Sequence, residues 1–182
     1  MTMNEHEMDP AEVKRHLDEL RRRLLAAGID AEIYVIGGSA MALNFPDDVD
    51  TRMTQDIDAV VSPKAAVQQV VEEMSKDLGL SPTWLNSFGA PFVPPRKGAK
   101  PSNGGVEVTI ATTEALIAMK LAASREQDLH DLGILARHAG ITDPEELVKI
   151  TFEAYGDDSI TLNETREEYL IMARQALARK SK

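Results

Sequence analysis

Apolar positions recur every three or four residues from Pro10 onward: Val13, Leu17, Leu20 and Leu24 share one face, charges fill the rest, and Gly28 follows. That spacing predicts an amphipathic helix closed by the glycine. The polar residues 1–9 ahead of it read as unstructured. The period then changes. Ile33-Tyr34-Val35-Ile36 is a continuous β-branched and aromatic run, the mark of a buried strand, and it leads straight into Gly37-Gly38-Ser39. Ala40 to Leu43 suits a short helix behind that turn, and Asn44 to Gln55 is a polar loop. Ile57, Ala59, Val60 and Val61 predict a second strand, closed by Ser62-Pro63. A helix from about Lys64 to Leu78 follows, burying Ala66, Val67, Val70, Val71 and Met74.

From Gly79 to Gly105 the chain is rich in Pro, Gly and Ser and shows no period. A stretch of that length is either functional or contains short elements. Val106, Val108 and Ile110 then alternate with Glu107 and Thr109, the period of two of a half-exposed third strand. Everything beyond reads as helix, at about 113–123, 126–139, 144–154 and 164–179. Asp143-Pro144-Glu145-Glu146 is a helix start with a capping aspartate, proline in the first turn and acidic neighbours. The pattern predicts an α+β fold, with a small mixed sheet and its helices over 1–111 and a helical region over 112–182 packed on that core.

Composition narrows the classes. Of 182 residues 43% are hydrophobic, enough for a buried core. No apolar run approaches the roughly 18 residues of a membrane span, and the N-terminus lacks a signal-peptide core. There is no cysteine, hence no disulfide, cysteine-based zinc site or thiol nucleophile. A cytoplasmic protein without a membrane partner is expected. The net charge of −10 opposes broad nucleic-acid binding, so no DNA duplex is expected as a partner. Two basic clusters stand against that balance, Arg96, Lys97 and Lys100 in the long loop and Arg174, Arg179, Lys180 and Lys182 at the end; both read as a solvated loop and tail.

The candidate chemistry begins with Asp56 and Asp58. Residues two apart in a strand point the same way, so two carboxylates stand side by side where a buried strand begins. Like charges there need a neutralising cation or solvent. Magnesium (or manganese) suits one or two carboxylates completed by substrate phosphates. Gly37-Gly38-Ser39 supplies a second feature, a strand-to-helix turn where backbone can approach a phosphate, helix N–H groups point outward, and a hydroxyl is at hand. It is not a P-loop, since the Walker spacing and Lys-Ser/Thr are missing. Together the two features suit a nucleoside triphosphate held with its metal.

Gly38-Ser39 followed by Asp56-Ile57-Asp58 resembles the hallmark of the polymerase-β-type nucleotidyltransferase superfamily. The fuller string, Gly37-Gly38-Ser39-Ala40 with Arg52-x-Thr54-x-Asp56-Ile57-Asp58, is similar to the AbiEii-like nucleotidyltransferase toxins of abortive-infection systems. So is the later block in which Lys120, Arg125, Asp128 and Asp131 match that group's Lys…Arg-x-x-Asp-x-x-Asp pattern. The resemblance covers roughly residues 30–140 and makes 1–111 the nucleotidyltransferase core. It implies transfer of a nucleoside monophosphate from a triphosphate to an acceptor, either RNA such as a tRNA 3′ end or a protein hydroxyl. It also implies a toxin–antitoxin setting with a cognate antitoxin as partner. Asp56 and Asp58 would hold the metal, Gly37, Gly38, Ser39, Arg52 and Thr54 would line the nucleotide pocket, Lys120 would contact the triphosphate, and Asp131 would assist catalysis or hold the site together.

Other readings stand beside these. Lys120 sits among Ala118, Met119, Leu121 and Ala122, and a lysine on such a face needs a partner. Triphosphate would serve, and so would a structural salt bridge to Asp128 and Asp131, three apart on one helix face. Arg52 and Thr54, without the resemblance, are solvated loop residues. Glu107 is the only acidic residue on the third strand and so the candidate for a third metal ligand; without one, a one-metal site is expected. The four histidines show no metal-ligand spacing, and Trp84 reads as a packing anchor or a base-stacking ring. The competing function is a degenerate nucleotidyltransferase fold acting as an antitoxin or partner-binding module without catalysis.

Overall fold

A computed structural model of the chain describes residues 7–51, 53–96 and 104–179. The elements follow in the order α1 (Pro10–Ala26), β1 (Ala31–Val35), α2 (Gly37–Asn44), β2 (Ile57–Ser62), α3 (Lys64–Leu78), β3 (Leu85–Asn86), a one-turn 3-10 helix (Ala90–Phe92), β4 (Val106–Ile110), α4 (Thr113–Ala123), α5 (Glu126–Ala139), α6 (Pro144–Tyr155) and α7 (Arg166–Ala178). They form two compact units, one from Met1–Ala90 with Ala99–Ala111, the other from Pro91–Gly98 with Thr112–Lys182. The fold is α+β. Among the described residues, no helix is long and apolar enough to cross a membrane.

The first unit is built on a mixed four-stranded sheet in the order β3-β2-β1-β4. β1 runs antiparallel to β2 and parallel to β4, and β2 runs parallel to β3. Ala31, Ile33 and Val35 of β1 alternate with Glu32 and Tyr34, and Ile57 and Ala59 of β2 are fully buried. Helices α1, α2 and α3 cover this sheet. α1 buries Val13, Leu17, Leu20 and Leu24, the stripe its sequence predicts, at about 2 kcal/mol of burial each. Its start is a full capping box: Asp9 accepts from Glu12 N at 2.7 Å, and the Glu12 side chain accepts from Asp9 N at 3.3 Å.

The expectation of an unstructured segment over 1–9 fails at Met8 and at Asp9, the cap of α1. Met8 is 3% exposed and forms an isolated antiparallel bridge with Thr54. Residues 1–6 lie outside the described ones. Among its described residues the long aperiodic stretch contains β3 and the 3-10 turn, and residues 97–103, with Lys97 and Lys100, lie outside them; β3 is two residues long, too short to leave a period in the sequence. Trp84 is a packing anchor, 2% exposed, with its indole N–H donating to Val71 O at 3.2 Å and its ring 5.7 Å from His16. That burial removes it from any stacking role.

The second unit is helical, with α4 against α5 and α6, and α7 against α5 and α6. α4 is apolar on nearly all sides, with Leu116 through Ala122 buried in succession, as befits the central helix of a bundle. Asp143 caps α6 through Glu145 N at 3.0 Å, and Thr165 and Glu168 form a second capping box at α7. Gly133 of α5 faces the backbone of α7, where a β-carbon would lie 2.9 Å from Ala176 O.

Candidate active site

The turn after β1 is shaped around a carboxylate. Gly37 has φ +64°, a left-handed conformation that favours glycine, and a β-carbon there would lie 2.9 Å from Asp58 Oδ2. Asp58 is placed by the antiparallel β1–β2 ladder, whose next bond beyond Val35–Ala59 is Ile36 N to Asp58 O at 2.9 Å. Its carboxylate therefore rests against the first residue of α2. No side chain caps α2, so the N-terminal end of this helix keeps its favourable polarity for an anion. Gly38 is different from Gly37. A β-carbon there would make only an ordinary contact, 3.6 Å from Thr54 Oγ1, so packing alone does not require glycine at that position.

Asp56 stands one residue ahead of β2 and is fixed from three sides. Ser39 Oγ donates to its carbonyl at 2.9 Å, and Thr54 Oγ1 donates to the same carbonyl at 2.7 Å. Asn86 Nδ2 donates to its carboxylate Oδ2 at 2.7 Å. The Ser39 hydroxyl, 1% exposed, thus spends its proton on the backbone of Asp56. Thr54 is half-buried, pinned through its backbone by Met8, and not the solvated loop residue its surroundings in sequence suggest. Arg52 lies outside the described residues.

Residues 86–89, which the sequence does not single out, wrap the two aspartates. Asn86 holds Asp56, its Oδ1 accepts from Phe88 N at 2.9 Å, and Ser87 Oγ donates to Ala59 O at 3.0 Å. Gly89 closes the turn, since a β-carbon there would lie 2.9 Å from Ile36 Cδ1 and 3.9 Å from Asp58 Cγ. The only trace of this in sequence is a local turn composition, Asn-Ser-Phe-Gly.

Glu107 is not brought to the pair. The β1–β4 register sets it opposite Glu32, whereas Asp58 lies at the level of Ile36. Four residues of strand separate those levels, about 13 Å. Thr109 and Ile110 stand nearer, opposite Tyr34 and Val35, and neither is a carboxylate. Among the described residues, no group of three His, Cys, Asp or Glu side chains could hold a metal ion. The pair Asp56 and Asp58 still fits magnesium of the kind that takes one or two carboxylates and completes its shell with phosphate oxygens and water. It does not fit an all-protein cage.

A family model described as nucleotidyltransferase of unknown function (DUF6036) matches residues 14–182. The chain belongs to that family. No match was found among curated proteins or among solved structures. Membership in this nucleotidyltransferase family takes in both units of the chain, since the matched span runs through α7.

The Lys120–Asp131 block of this nucleotidyltransferase-family chain forms a buried ion cluster. Lys120 Nζ donates to Asp128 Oδ1 at 2.9 Å and to Asp131 Oδ2 at 2.7 Å. Lys120, Asp128 and Asp131 are 8%, 0% and 3% exposed. Arg125 adds a bond from Nε to Asp128 Oδ2 at 2.6 Å. Burial pushes the Asp128 carboxyl up, but the Arg125 and Lys120 hydrogen bonds and charges outweigh it and hold the group below the usual aspartate value. The cluster ties α4 to α5, the salt-bridge arrangement that the helix spacing allows. Elsewhere in this unit burial pushes the Tyr155 hydroxyl well up, and that hydroxyl donates to Phe92 O.

Proposed function

We propose that this protein is a metal-dependent nucleotidyltransferase that moves a nucleoside monophosphate from a nucleoside triphosphate to an acceptor hydroxyl. The observation that carries the reading is the juxtaposition of Asp58 with Gly37 at the uncapped start of α2, with the Asp56 carbonyl held by Ser39 of that helix. Family membership supports the reaction class. In the reaction the acceptor oxygen bonds to the α-phosphorus while the bond to the bridging oxygen breaks. The acceptor proton passes to solvent or a carboxylate, and pyrophosphate leaves with the bonding electrons.

Asp56 and Asp58 would hold magnesium, which supplies charge neutralisation and polarises the phosphate oxygens. The chain's own residues do the rest. Gly37 and Gly38 admit the triphosphate to the backbone N–H groups of α2. Ser39, Thr54 and Asn86 act as positioning residues, clamping Asp56 by its carbonyl and its carboxylate so that both aspartates are preorganised. Arg52 belongs to the same pocket by resemblance. Lys120 and Asp131 act through the helix pair they bind together.

The likeness of the Gly37–Asp58 string and the Lys120–Asp131 block to AbiEii-like toxins supports a toxin–antitoxin role, with a cognate antitoxin as partner. The net charge of −10 favours an acceptor gripped at its end, a tRNA 3′ terminus or a protein hydroxyl, over a long RNA footprint. A non-catalytic partner-binding module is the second reading, favoured by the lack, among the described residues, of a third metal-ligating side chain with the pair. Incubation with labelled triphosphates, magnesium, and total RNA or lysate separates them. Transfer of label by wild type and its loss in Asp58→Ala is expected; no labelling and no nucleotide binding by either would sink the enzymatic reading.

A further inference from the structure

Every Phe, Tyr and Trp of the protein is among the described residues, and all but one are buried or half-buried. Phe88 is the exception, 73% exposed. It does not dangle from a loose tip. Its N–H is held by Asn86 Oδ1 at 2.9 Å, and the other end of that amide is bonded to Asp56. The next residue, Gly89, is packed against Ile36 and approaches Asp58. The Phe88 backbone is thus linked through Asn86 to Asp56, and its Cα lies one step, about 3.8 Å, from that of Gly89, where a β-carbon would lie 3.9 Å from Asp58 Cγ. Burial of an exposed phenylalanine ring is favourable, and the anchoring of its backbone lowers the entropy lost when a ligand covers it.

We propose that Phe88 is the nucleobase platform of this site, the surface on which the base of a nucleotide stacks while its phosphates lie at α2. The proposal rests on the nucleotidyltransferase reading above and adds to it the residue that grips the base. Stacking on a phenylalanine is open to any base, because each offers a π-face and no edge is read. Broad use of the four triphosphates follows, with purines held more tightly through their larger rings. Met53, 47% exposed, precedes Thr54, which bonds the same Asp56 carbonyl, and brings a second exposed apolar side chain to this region.

Titration calorimetry on the full chain with magnesium tests this, using each triphosphate, inorganic tripolyphosphate, and a short single-stranded ribooligonucleotide as probes. Phe88→Ala is expected to weaken triphosphate binding by about tenfold or more and to leave tripolyphosphate binding unchanged. Phe88→Trp is expected to retain affinity and to show fluorescence quenching on binding. Loss confined to the oligonucleotide would keep the ring as a base platform but assign it to the acceptor. Equal binding of all probes by wild type and Phe88→Ala, or an equal loss for triphosphate and tripolyphosphate, overturns the proposal while leaving the phosphate site intact. If wild type binds neither triphosphate nor tripolyphosphate, the underlying reading falls and the proposal with it.

Discussion

Gly37 and Gly38 look alike in sequence, but the fold itself holds only the first to glycine. At Gly37 both the backbone, φ +64°, and the 2.9 Å approach to Asp58 Oδ2 forbid a β-carbon. Gly37→Ala is therefore expected to cost about 1–3 kcal/mol of stability, read as a lowered denaturant midpoint, and to abolish nucleotide binding by displacing Asp58. At Gly38 the added methyl meets only Thr54 Oγ1 at 3.6 Å. Gly38→Ala is expected to fold with stability within about 1 kcal/mol of wild type yet to lose triphosphate affinity in calorimetry. Unchanged affinity in Gly38→Ala would remove the phosphate from the start of α2. Asp56 stands one residue ahead of β2, outside the strand repeat that singled out the Asp-x-Asp pair; the Gly37 turn and the place of Asp58 were legible from local rules, turn conformation and the two-residue repeat of a strand. Asn86 was not, since it reaches Asp56 across thirty positions of chain and nothing in the spacing of Gly79 to Gly105 marks it.

α3 matches its predicted span because burial of one face sets both its type and its ends, and α4 and β4 match theirs as well. β3 escaped because two residues cannot show a period. At this scale Lys120 is the bolt between α4 and α5. Lys120→Met leaves Asp128 with Arg125 alone and strips Asp131 of the lysine, with an expected loss of about 3–5 kcal/mol, measured by urea unfolding. A variant that stays folded but no longer binds triphosphate would instead return the ammonium to the phosphate. The same cluster sets an acid limit. The folded Asp128 carboxyl is held below its unfolded value, so it contributes stability that is fully present above about pH 4. That contribution is lost as pH falls through the folded value, where native Asp128 takes up its proton. Denaturant midpoints measured from pH 7 down to 3 are expected to drop more steeply in wild type than in Asp128→Asn, and parallel curves would refute the assignment.

Over the whole molecule, charge limits what the acceptor can be. A chain of net charge −10 repels extended polyanions, so an RNA acceptor of the proposed reaction would be held by few phosphates. Its affinity is expected to fall with log salt at a slope of about −2 between 50 and 200 mM, since single strands lose about 0.7 per phosphate neutralised; a slope near about −6 would point to a basic track. The helical unit carries another consequence, one of connectivity. The notch at Gly133 admits the Ala176 carbonyl of α7, which joins two helices that are not neighbours in the chain, α5 and α7. α7 also packs on α6, the helix that precedes it. It is thus fastened at two places, and the 156–165 connection is held at both ends.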